Sequence, residues 1–179
     1  MNKLRFLEIA TQIMQTTFTT PRLSLSLVTE EDHAFIKALL NTKGWIEFIG
    51  DRHIHSEEDA RNYIRKILST PHLSYWVVRQ ITDQTPIGII SFLKRTYLEH
   101  FDIGFAFLPE YGGKGYAYEA ANHVLTSILN SGEHKTVLAT TYPHNRKSIA
   151  LLEKLGMQLN GEIERDGDRL LVYEKKSVQ

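Results

Sequence analysis

The strongest constraint on the fold is a strand, a glycine-rich turn and an amphipathic helix that follow one another over residues 101–130. The strand segment 101–108 alternates large apolar side chains with small or acidic ones and is closed by Pro109. Three of the four residues 112–115 are glycine, and the next residues carry an apolar stripe at helical spacing. Glycines allow such a turn to direct consecutive N–H groups inward, and a helix N-terminus adds about half a positive charge. The segment therefore predicts a binding turn for phosphate oxygens.

Strand and helix signals alternate along the rest of the chain, which predicts an α/β architecture with one sheet. Strands are predicted at 22–27, 75–80, 86–93, 101–108, 135–141 and in a hairpin over 157–176. Helices are predicted at 3–15, 29–41, 56–68, 115–131 and 145–155, two of them opened by a capping box. Residues 42–55 show no periodicity, so we expect a long loop there. We expect residues 1–18 to form an N-terminal extension, helical in part, and residues 19–179 to form a single domain.

Composition excludes several classes of protein. The 179 residues include 21 Lys and Arg and 21 Asp and Glu, so the basic excess typical of a nucleic-acid binder is missing. There is no Cys, which excludes thiol catalysis and thiolate metal sites. Apolar runs are only a few residues long, so we expect no membrane partner, and we expect a cytoplasmic location.

The two commonest nucleotide-binding turns do not match the glycine-rich segment. A P-loop needs G-x-x-x-x-G-K-[ST], which residues 112–117 do not contain. A dinucleotide fingerprint needs G-x-G-x-x-G, and Tyr118 stands where its third glycine belongs. The two commonest nucleotide-binding loops are therefore excluded by their spacing.

Three segments together resemble the GNAT superfamily of acyl-CoA N-acyltransferases. Residues 112–117 (GGKGYA) are similar to the family's [RQ]-x-x-G-x-[GA] motif, with Gly112 where the family prefers Arg or Gln. Residues 145–157 (NRKSIALLEKLGM) resemble its N-x-x-S-x-x-x-[LY]-x-K-x-G-[FM] segment. Residues 20–23 (TPRL) resemble the opening of the RimJ/RimL-like branch, which contains ribosomal-protein N-acetyltransferases. The resemblance implies a GNAT-like α/β fold, in which helices flank a mixed, mostly antiparallel sheet.

The resemblance also implies acetyl-CoA as cofactor, bound where two central strands part. The glycine turn would hold its diphosphate, and a backbone N–H on a bulged strand, at Phe107 or Leu108, would polarise the thioester carbonyl. Asn145 is either the N-cap of its helix, a cofactor contact, or both. The cofactor-binding residues implied in this way are Phe107, Leu108, Gly112, Gly113, Lys114, Gly115, Tyr116, Ala117 and Asn145.

Ser148 is the candidate catalytic residue. Many family members place a Tyr acid in this helix, but the matching position here is Leu152. Ser148 begins the apolar stripe 148, 151, 152, 155, and the resemblance implies that its hydroxyl faces the coenzyme A sulfur. The alternative is a Ser in the first helical turn that bonds only to the backbone.

Several other polar and aromatic residues are candidates for a role in the site. The candidates for a general base are Glu99, His100, Asp102, Glu164, Asp166 and Asp168. His53 and His55 lack a third ligand nearby in sequence, so we predict no metal site. Four aromatic residues are expected in the core or in a pocket wall: Trp45, Phe48, Tyr75 and Trp76.

The sequence thus predicts an enzyme that moves an acetyl group from acetyl-CoA to a primary amine. The resemblance to the RimJ/RimL-like branch implies a protein N-terminus as acceptor, and small amines such as polyamines, amino acids or antibiotics are the alternative. Two rival hypotheses remain at this point, a non-catalytic acyl-CoA-binding module and an unrelated phosphate-binding enzyme such as a kinase. We expect a monomer or a homodimer.

Overall fold

The structure is a computed structural model and describes residues 16–178. Its strands are β1 (Thr17–Thr19), β2 (Leu23–Leu27), β3 (Leu73–Gln80), β4 (Pro86–Leu93), β5 (Asp102–Phe107), β6 (Thr136–Thr141), β7 (Gln158–Arg165) and β8 (Asp168–Lys176). Its helices are α1 (His33–Leu40), α2 (Lys43–Phe48), α3 (Glu57–Ser69), α4 (Tyr116–Asn130) and α5 (Arg146–Lys154). Short 3₁₀ turns at Glu30–Asp32 and Pro109–Tyr111 complete the described elements.

The eight strands form one sheet in the order β1-β2-β3-β4-β5-β6-β8-β7. Every neighbouring pair is antiparallel except β5 and β6, which run parallel. The chain passes from β5 to β6 through α4, because a parallel connection needs a crossover of this kind. This confirms the predicted fold class.

The sheet carries an apolar core on each face. The larger core joins β2–β6 and β8 to the apolar stripes of α4 and α5, with Trp76, Phe92 and Leu125 fully buried. The second core packs α1, α2 and α3 against β3 and β4 on the other face. Alternation along each strand sends successive side chains to opposite cores, so both faces of the central strands are apolar.

Local sequence signals explain most element boundaries. Ser56 caps α3 with a complete capping box, since its hydroxyl accepts from the Asp59 amide and the Asp59 carboxylate accepts from the Ser56 amide. Gly132 and Gly156 follow α4 and α5 with positive φ, as the predicted helix ends require. The hairpins β3–β4 and β7–β8 also lie where the sequence predicts them.

Two short elements lie where the sequence predicted none. The expected loop 42–55 contains α2, whose N-cap Thr42 accepts a hydrogen bond from the Trp45 amide at 3.3 Å. Residues 17–19, for which no strand was predicted, pair with β2 as an edge strand. Both elements are shorter than the window in which periodicity is readable. The predicted helix at 3–15 lies outside the described residues.

No helix within residues 16–178 is both long enough and apolar enough to cross a bilayer.

Candidate active site

The two parallel strands part soon after they meet. β5 and β6 share only the pair Asp102 and Leu138, held by a bond from the Leu138 amide to the Phe101 carbonyl at 2.9 Å. Beyond that point β5 continues to Phe107 and β6 to Thr141 without further pairing. Because the strands are parallel, their carboxyl ends open at the same edge of the sheet. Such an opening is the usual ligand-binding position in sheets with parallel strands.

The amides of β5 point alternately to β4 and to this opening. The Leu108 amide donates to the Ile87 carbonyl at 2.9 Å, so it faces β4 and is occupied. Alternation then directs the amides of Phe105 and Phe107 towards the opening. Of the two amides considered for polarising a carbonyl, only that of Phe107 is therefore available. The bulge implied for this strand is absent, since β4 and β5 pair without a register shift from residue 102 to 107.

The glycine-rich turn lies at the same edge, directly after β5. Gly113 and Gly115 have φ of +72° and +80°, a conformation that only glycine adopts without strain. No described residue accepts a hydrogen bond from the backbone N–H groups of residues 113–118. A run of unbonded amides at the start of a 15-residue helix is a donor set suited to an anion.

The predicted turn residues differ in their surroundings. Gly112 has an ordinary extended conformation, and its amide donates to the Pro109 carbonyl at 3.0 Å. The ammonium of Lys114 lies 5.4 Å from the centre of the Tyr111 ring. Tyr116 accepts a hydrogen bond on its hydroxyl from Gln80, and Ala117 lies half-buried in the first turn of α4.

The segment 20–23 packs directly on this turn, which sequence spacing did not indicate. The Arg22 guanidinium donates to the Lys114 carbonyl at 3.1 Å and lies 4.5 Å from the centre of the Tyr116 ring. Its Nε also donates to Glu119 at 2.6 Å. Glu119 was not among the predicted site residues, because a carboxylate in the first turn of a helix is common for reasons of helix polarity alone.

The start of α5 follows β6 and supplies the predicted Asn and Ser. Asn145 is the N-cap, and its Oδ1 accepts from the Ser148 amide at 3.1 Å. Ser148 is half-buried, and its hydroxyl makes no hydrogen bond to any residue between 16 and 178. Leu152 is 1% exposed and belongs to the core, so it is a packing residue. The Ser148 hydroxyl therefore stays available for a ligand.

Five of the six candidate bases are not buried, and the sixth, Asp102, is buried. Glu99, Glu164 and Asp166 are exposed, and His100 is 3.9 Å from Glu99. Asp168 is also exposed and accepts a hydrogen bond from the Tyr142 hydroxyl at 2.9 Å.

Asp102 alone among these candidates is buried, with 2% of its surface exposed. Its Oδ2 accepts from Arg95 Nε at 2.8 Å, whereas its Oδ1 has no hydrogen-bond partner among the described residues. Burial raises the pKa of Asp102, and the Arg95 guanidinium opposes that rise. Asp102 also belongs to the last pair before β5 and β6 separate.

An aromatic cluster borders the loop that joins β6 to α5. The His144 ring lies 5.3 Å from the Tyr142 ring and 5.5 Å from the Phe48 ring, so α2 reaches this loop. The hydrogen bond to Asp168, together with partial burial, raises the pKa of Tyr142. Of the aromatic residues expected in the core or in a pocket wall, Trp45 and Trp76 are buried.

The two predicted non-ligand histidines lie away from these elements. The rings of His53 and His55 are exposed and 6.3 Å apart, and His53 pairs with Asp51. No group of three His, Asp or Glu residues suited to a metal ion occurs in the described part of the chain.

Comparison with known proteins identifies the family of this site. The sequence profile described as the acetyltransferase (GNAT) domain matches residues 22–158, which spans β2 to the start of β7. The chain belongs to the GNAT family. This confirms the resemblance drawn from residues 20–23, 112–117 and 145–157.

Similar proteins agree with this GNAT assignment. The uncharacterised N-acetyltransferase YnaD of Bacillus subtilis is 32% identical over 108 residues. That match covers 60% of this chain, and the chain spans 63% of the length of YnaD.

Solved structures share the GNAT fold over nearly the whole chain. A GNAT acetyltransferase of Bacillus anthracis is 25% identical with a TM-score of 0.76, covering 90% of this chain and 98% of that one. RimL, a ribosomal alpha-N-protein acetyltransferase solved in complex with coenzyme A, is 16% identical with a TM-score of 0.76. That match covers 88% of this chain and 95% of RimL, and it shows a common fold.

Proposed function

We propose that this GNAT protein is an acetyl-CoA-dependent N-acetyltransferase that acts on a primary amine. One observation carries the proposal: β5 and β6 part at the same edge of the sheet where the unbonded amides of residues 113–118 lie. Bound acetyl-CoA supplies an activated acetyl group, which leaves sulfur for the amine nitrogen while the thiolate takes up a proton. The chain itself must bind a diphosphate, polarise a carbonyl and handle two protons.

The residues present fit the cofactor. A β-carbon at Gly113 would meet no atom within 4 Å, so the turn is open on that side and leaves room for a ligand. We assign the diphosphate to the amides of residues 113–118, with Lys114 as the nearby cation. Each charge-assisted hydrogen bond of this kind contributes about 1.5–3 kcal/mol. Gly112 has no side chain that could contact the diphosphate, so the contact is made by the backbone amides of residues 113–118.

Carbonyl polarisation is assigned to the Phe107 amide. It faces the opening between the strands, whereas the neighbouring Leu108 amide is bonded to Ile87. A fixed backbone donor costs no reorganisation as negative charge develops on the oxygen, which is why such donors are effective.

Proton delivery to the leaving sulfur is assigned to Ser148. Its hydroxyl has no partner among the described residues, and its amide is fixed by the Asn145 cap. The capped first turn holds Cα of Ser148 in place while the hydroxyl rotates freely, as donation to a ligand requires. Asn145 thus positions Ser148 whether or not it also contacts the cofactor.

Proton removal from the acceptor amine is assigned to Asp102, acting through water, because Asp102 and Phe107 lie at opposite ends of β5, about 16 Å apart. It is the candidate that is both buried and at the point where the two strands separate, and its Oδ1 is unpartnered among residues 16–178. Arg95 holds the other oxygen, which fixes the direction in which Oδ1 points. Burial raises its pKa, and a base with a raised pKa takes a proton more readily.

We propose a protein N-terminal α-amine as the acceptor. An α-amine has a pKa of about 8 and is appreciably neutral near pH 7.5, whereas a Lys amine with a pKa of about 10.4 is only about 0.1% neutral. A single carboxylate is a sufficient base for the former. RimL, which acts on a ribosomal protein α-amine by its name, supports this choice through the common fold. Small amines such as polyamines remain the alternative class.

The test is a coenzyme A release assay with a panel of acceptors, preceded by calorimetry with coenzyme A alone. We expect heat of binding and turnover with peptides that carry a free N-terminus, and no turnover with the same peptides after N-terminal blocking. Turnover with spermidine or an aminoglycoside alone would select the small-amine alternative. Binding without turnover on any amine would indicate the non-catalytic module, and absence of binding at millimolar coenzyme A would refute the proposal.

A further inference from the structure

We infer that Arg22 is a positioning residue that sets the shape and charge of the diphosphate turn, through Glu119 and the Lys114 carbonyl. The inference rests on the proposed function, because it names how the chain outside the turn controls cofactor affinity. Arg22 precedes β2, and Lys114 and Glu119 lie more than 90 residues later in sequence.

The contact is built from several directed hydrogen bonds. Glu119 Oε1 accepts from the Thr20 hydroxyl at 2.6 Å and from the Arg22 amide at 3.0 Å. Glu119 Oε2 accepts from Arg22 Nε at 2.6 Å. Both carboxylate oxygens are therefore used by the residues 20–22, and the first turn of α4 is fixed to the start of β2.

The rest of the guanidinium acts on the turn itself. Arg22 Nη1 donates to the Lys114 carbonyl at 3.1 Å, and Arg22 Nη2 would lie 3.4 Å from a β-carbon at Gly115. The peptide that joins Lys114 to Gly115 carries this carbonyl and one of the unbonded amides. A planar peptide group places its C=O and N–H on opposite sides, so holding the carbonyl of Lys114 directs the N–H of Gly115 the other way.

Charge gives a second reason for the arrangement. Burial would raise the pKa of Glu119, but the hydrogen bonds from Thr20 and Arg22 together lower it, so Glu119 is a carboxylate at neutral pH. A carboxylate in the first turn of α4 repels a diphosphate that binds the same amides. The Arg22 guanidinium neutralises this charge at hydrogen-bond distance. Loss of Arg22 therefore both releases the Lys114 carbonyl and leaves a repelling charge.

The contacts of the Arg22 side chain also predict which kinetic constant changes when Arg22 is replaced. Within the described residues, the hydrogen-bond and ring partners of the Arg22 side chain lie on the turn and on α4, and none is Phe107, Asp102 or Ser148. We therefore expect a change in cofactor affinity with little change in the rate of acetyl transfer from bound cofactor.

The experiment compares Arg22→Gln with the double variant Arg22→Gln/Glu119→Gln. Calorimetry gives the Kd of coenzyme A, and steady-state assays give KM for acetyl-CoA and for acetyl-pantetheine, which lacks the diphosphate. For Arg22→Gln we expect Kd and KM for acetyl-CoA to rise about ten-fold, the effect of one charge-assisted hydrogen bond, with kcat unchanged. Turnover of acetyl-pantetheine should equal that of the wild type.

The double variant shows whether Arg22 acts on the diphosphate turn or only stabilises the folded domain. Removing the uncompensated charge of Glu119 should recover part of the lost affinity, although the double variant lacks more hydrogen bonds than Arg22→Gln. Arg22→Lys keeps the positive charge but loses the several planar N–H donors of the guanidinium. Its Kd for coenzyme A should lie between those of the wild type and Arg22→Gln.

Two outcomes would overturn the inference. Equal Kd values for coenzyme A in the wild type and in Arg22→Gln would do so, as would an equal loss of turnover with acetyl-CoA and acetyl-pantetheine, which indicates general misfolding. Failure of the wild type itself to bind coenzyme A would refute the proposed function instead, so the two failures are distinguishable.

Discussion

Gly88 and Phe107 face each other across β4 and β5, and the Phe107 ring occupies the space that a β-carbon on Gly88 would need. Such a carbon would lie 2.6 Å from Cε1 and from Cγ of the ring. Gly88 therefore determines where the Phe107 ring lies on the larger core. The backbone amide of the same Phe107 faces the opening between β5 and β6, so this contact links core packing to the position of the amide.

We expect Gly88→Ala to lower kcat about ten-fold through displacement of Phe107. Overpacking of this kind costs about 1–3 kcal/mol of unfolding free energy, which a folded domain of this size tolerates. The measurement is kcat with saturating acetyl-CoA, accompanied by thermal unfolding.

A second substitution tests whether the ring is the cause. The variant Gly88→Ala/Phe107→Leu has room for the new methyl group and should recover part of the lost kcat. Wild-type kcat in folded Gly88→Ala would show that the Phe107 amide does not need this ring position.

The glycine turn allows a matched comparison at a position with the same backbone strain. Gly113 and Gly132 have φ of +72° and +78°, and a β-carbon at either would meet nothing within 4 Å. Gly113→Ala and Gly132→Ala should each cost about 1–2 kcal/mol of stability, because an L residue is strained in this region. Only Gly113→Ala should raise the Kd of coenzyme A, by about ten-fold or more, as turn amides lose their alignment.

Calorimetry with coenzyme A and chemical unfolding of both variants provide the check. If Gly132→Ala weakened coenzyme A binding as much as Gly113→Ala, strain in general rather than the turn would explain the loss.

The sequence predicted the sheet, the glycine turn and the capped helices because each depends on local signals. Capping boxes, periodicity and positive-φ glycines are legible within a few residues, as Ser56 and Gly132 illustrate. The choice between Phe107 and Leu108 could not be made from sequence, because it depends on which amide the distant Ile87 carbonyl occupies. The role of Glu119 was missed for the same reason, since its partners Thr20 and Arg22 lie about a hundred residues away along the chain.

Ser148→Ala should lower kcat about ten-fold or more and leave the fold intact. The Asn145 cap bonds to the amide of residue 148 and not to its hydroxyl, and Ala is a good helix former, so α5 should persist. Lys147→Ala removes an exposed side chain in the same turn and serves as the control. Measurement of kcat at saturating acetyl-CoA decides the matter, and unchanged turnover in Ser148→Ala would remove the assignment of Ser148 as proton donor.

The pH profile is the sharpest test of Asp102. Burial raises the pKa of this carboxyl, and a base works only when deprotonated, so wild-type kcat with both substrates saturating should fall as the pH drops through that raised pKa. The constant kcat is used because kcat/KM for the amine also contains the titration of the free acceptor, whose pKa is about 8. In Asp102→Asn the acid limb of the profile should disappear and the plateau should drop about a hundred-fold, the usual value of a positioned base. Asp168→Asn, which changes an exposed carboxylate bonded to Tyr142, should keep the acid limb.

Thermal unfolding separates this effect from damage to the ion pair. Arg95 is about one-third exposed, so water can solvate its charge when Asn replaces Asp102, and the folded state should survive. A folded Asp102→Asn variant that retained the acid limb would show that another group takes the proton. Asp102 would then be a structural partner of Arg95, and the search for the base would move to the exposed carboxylates beside the loop from β7 to β8.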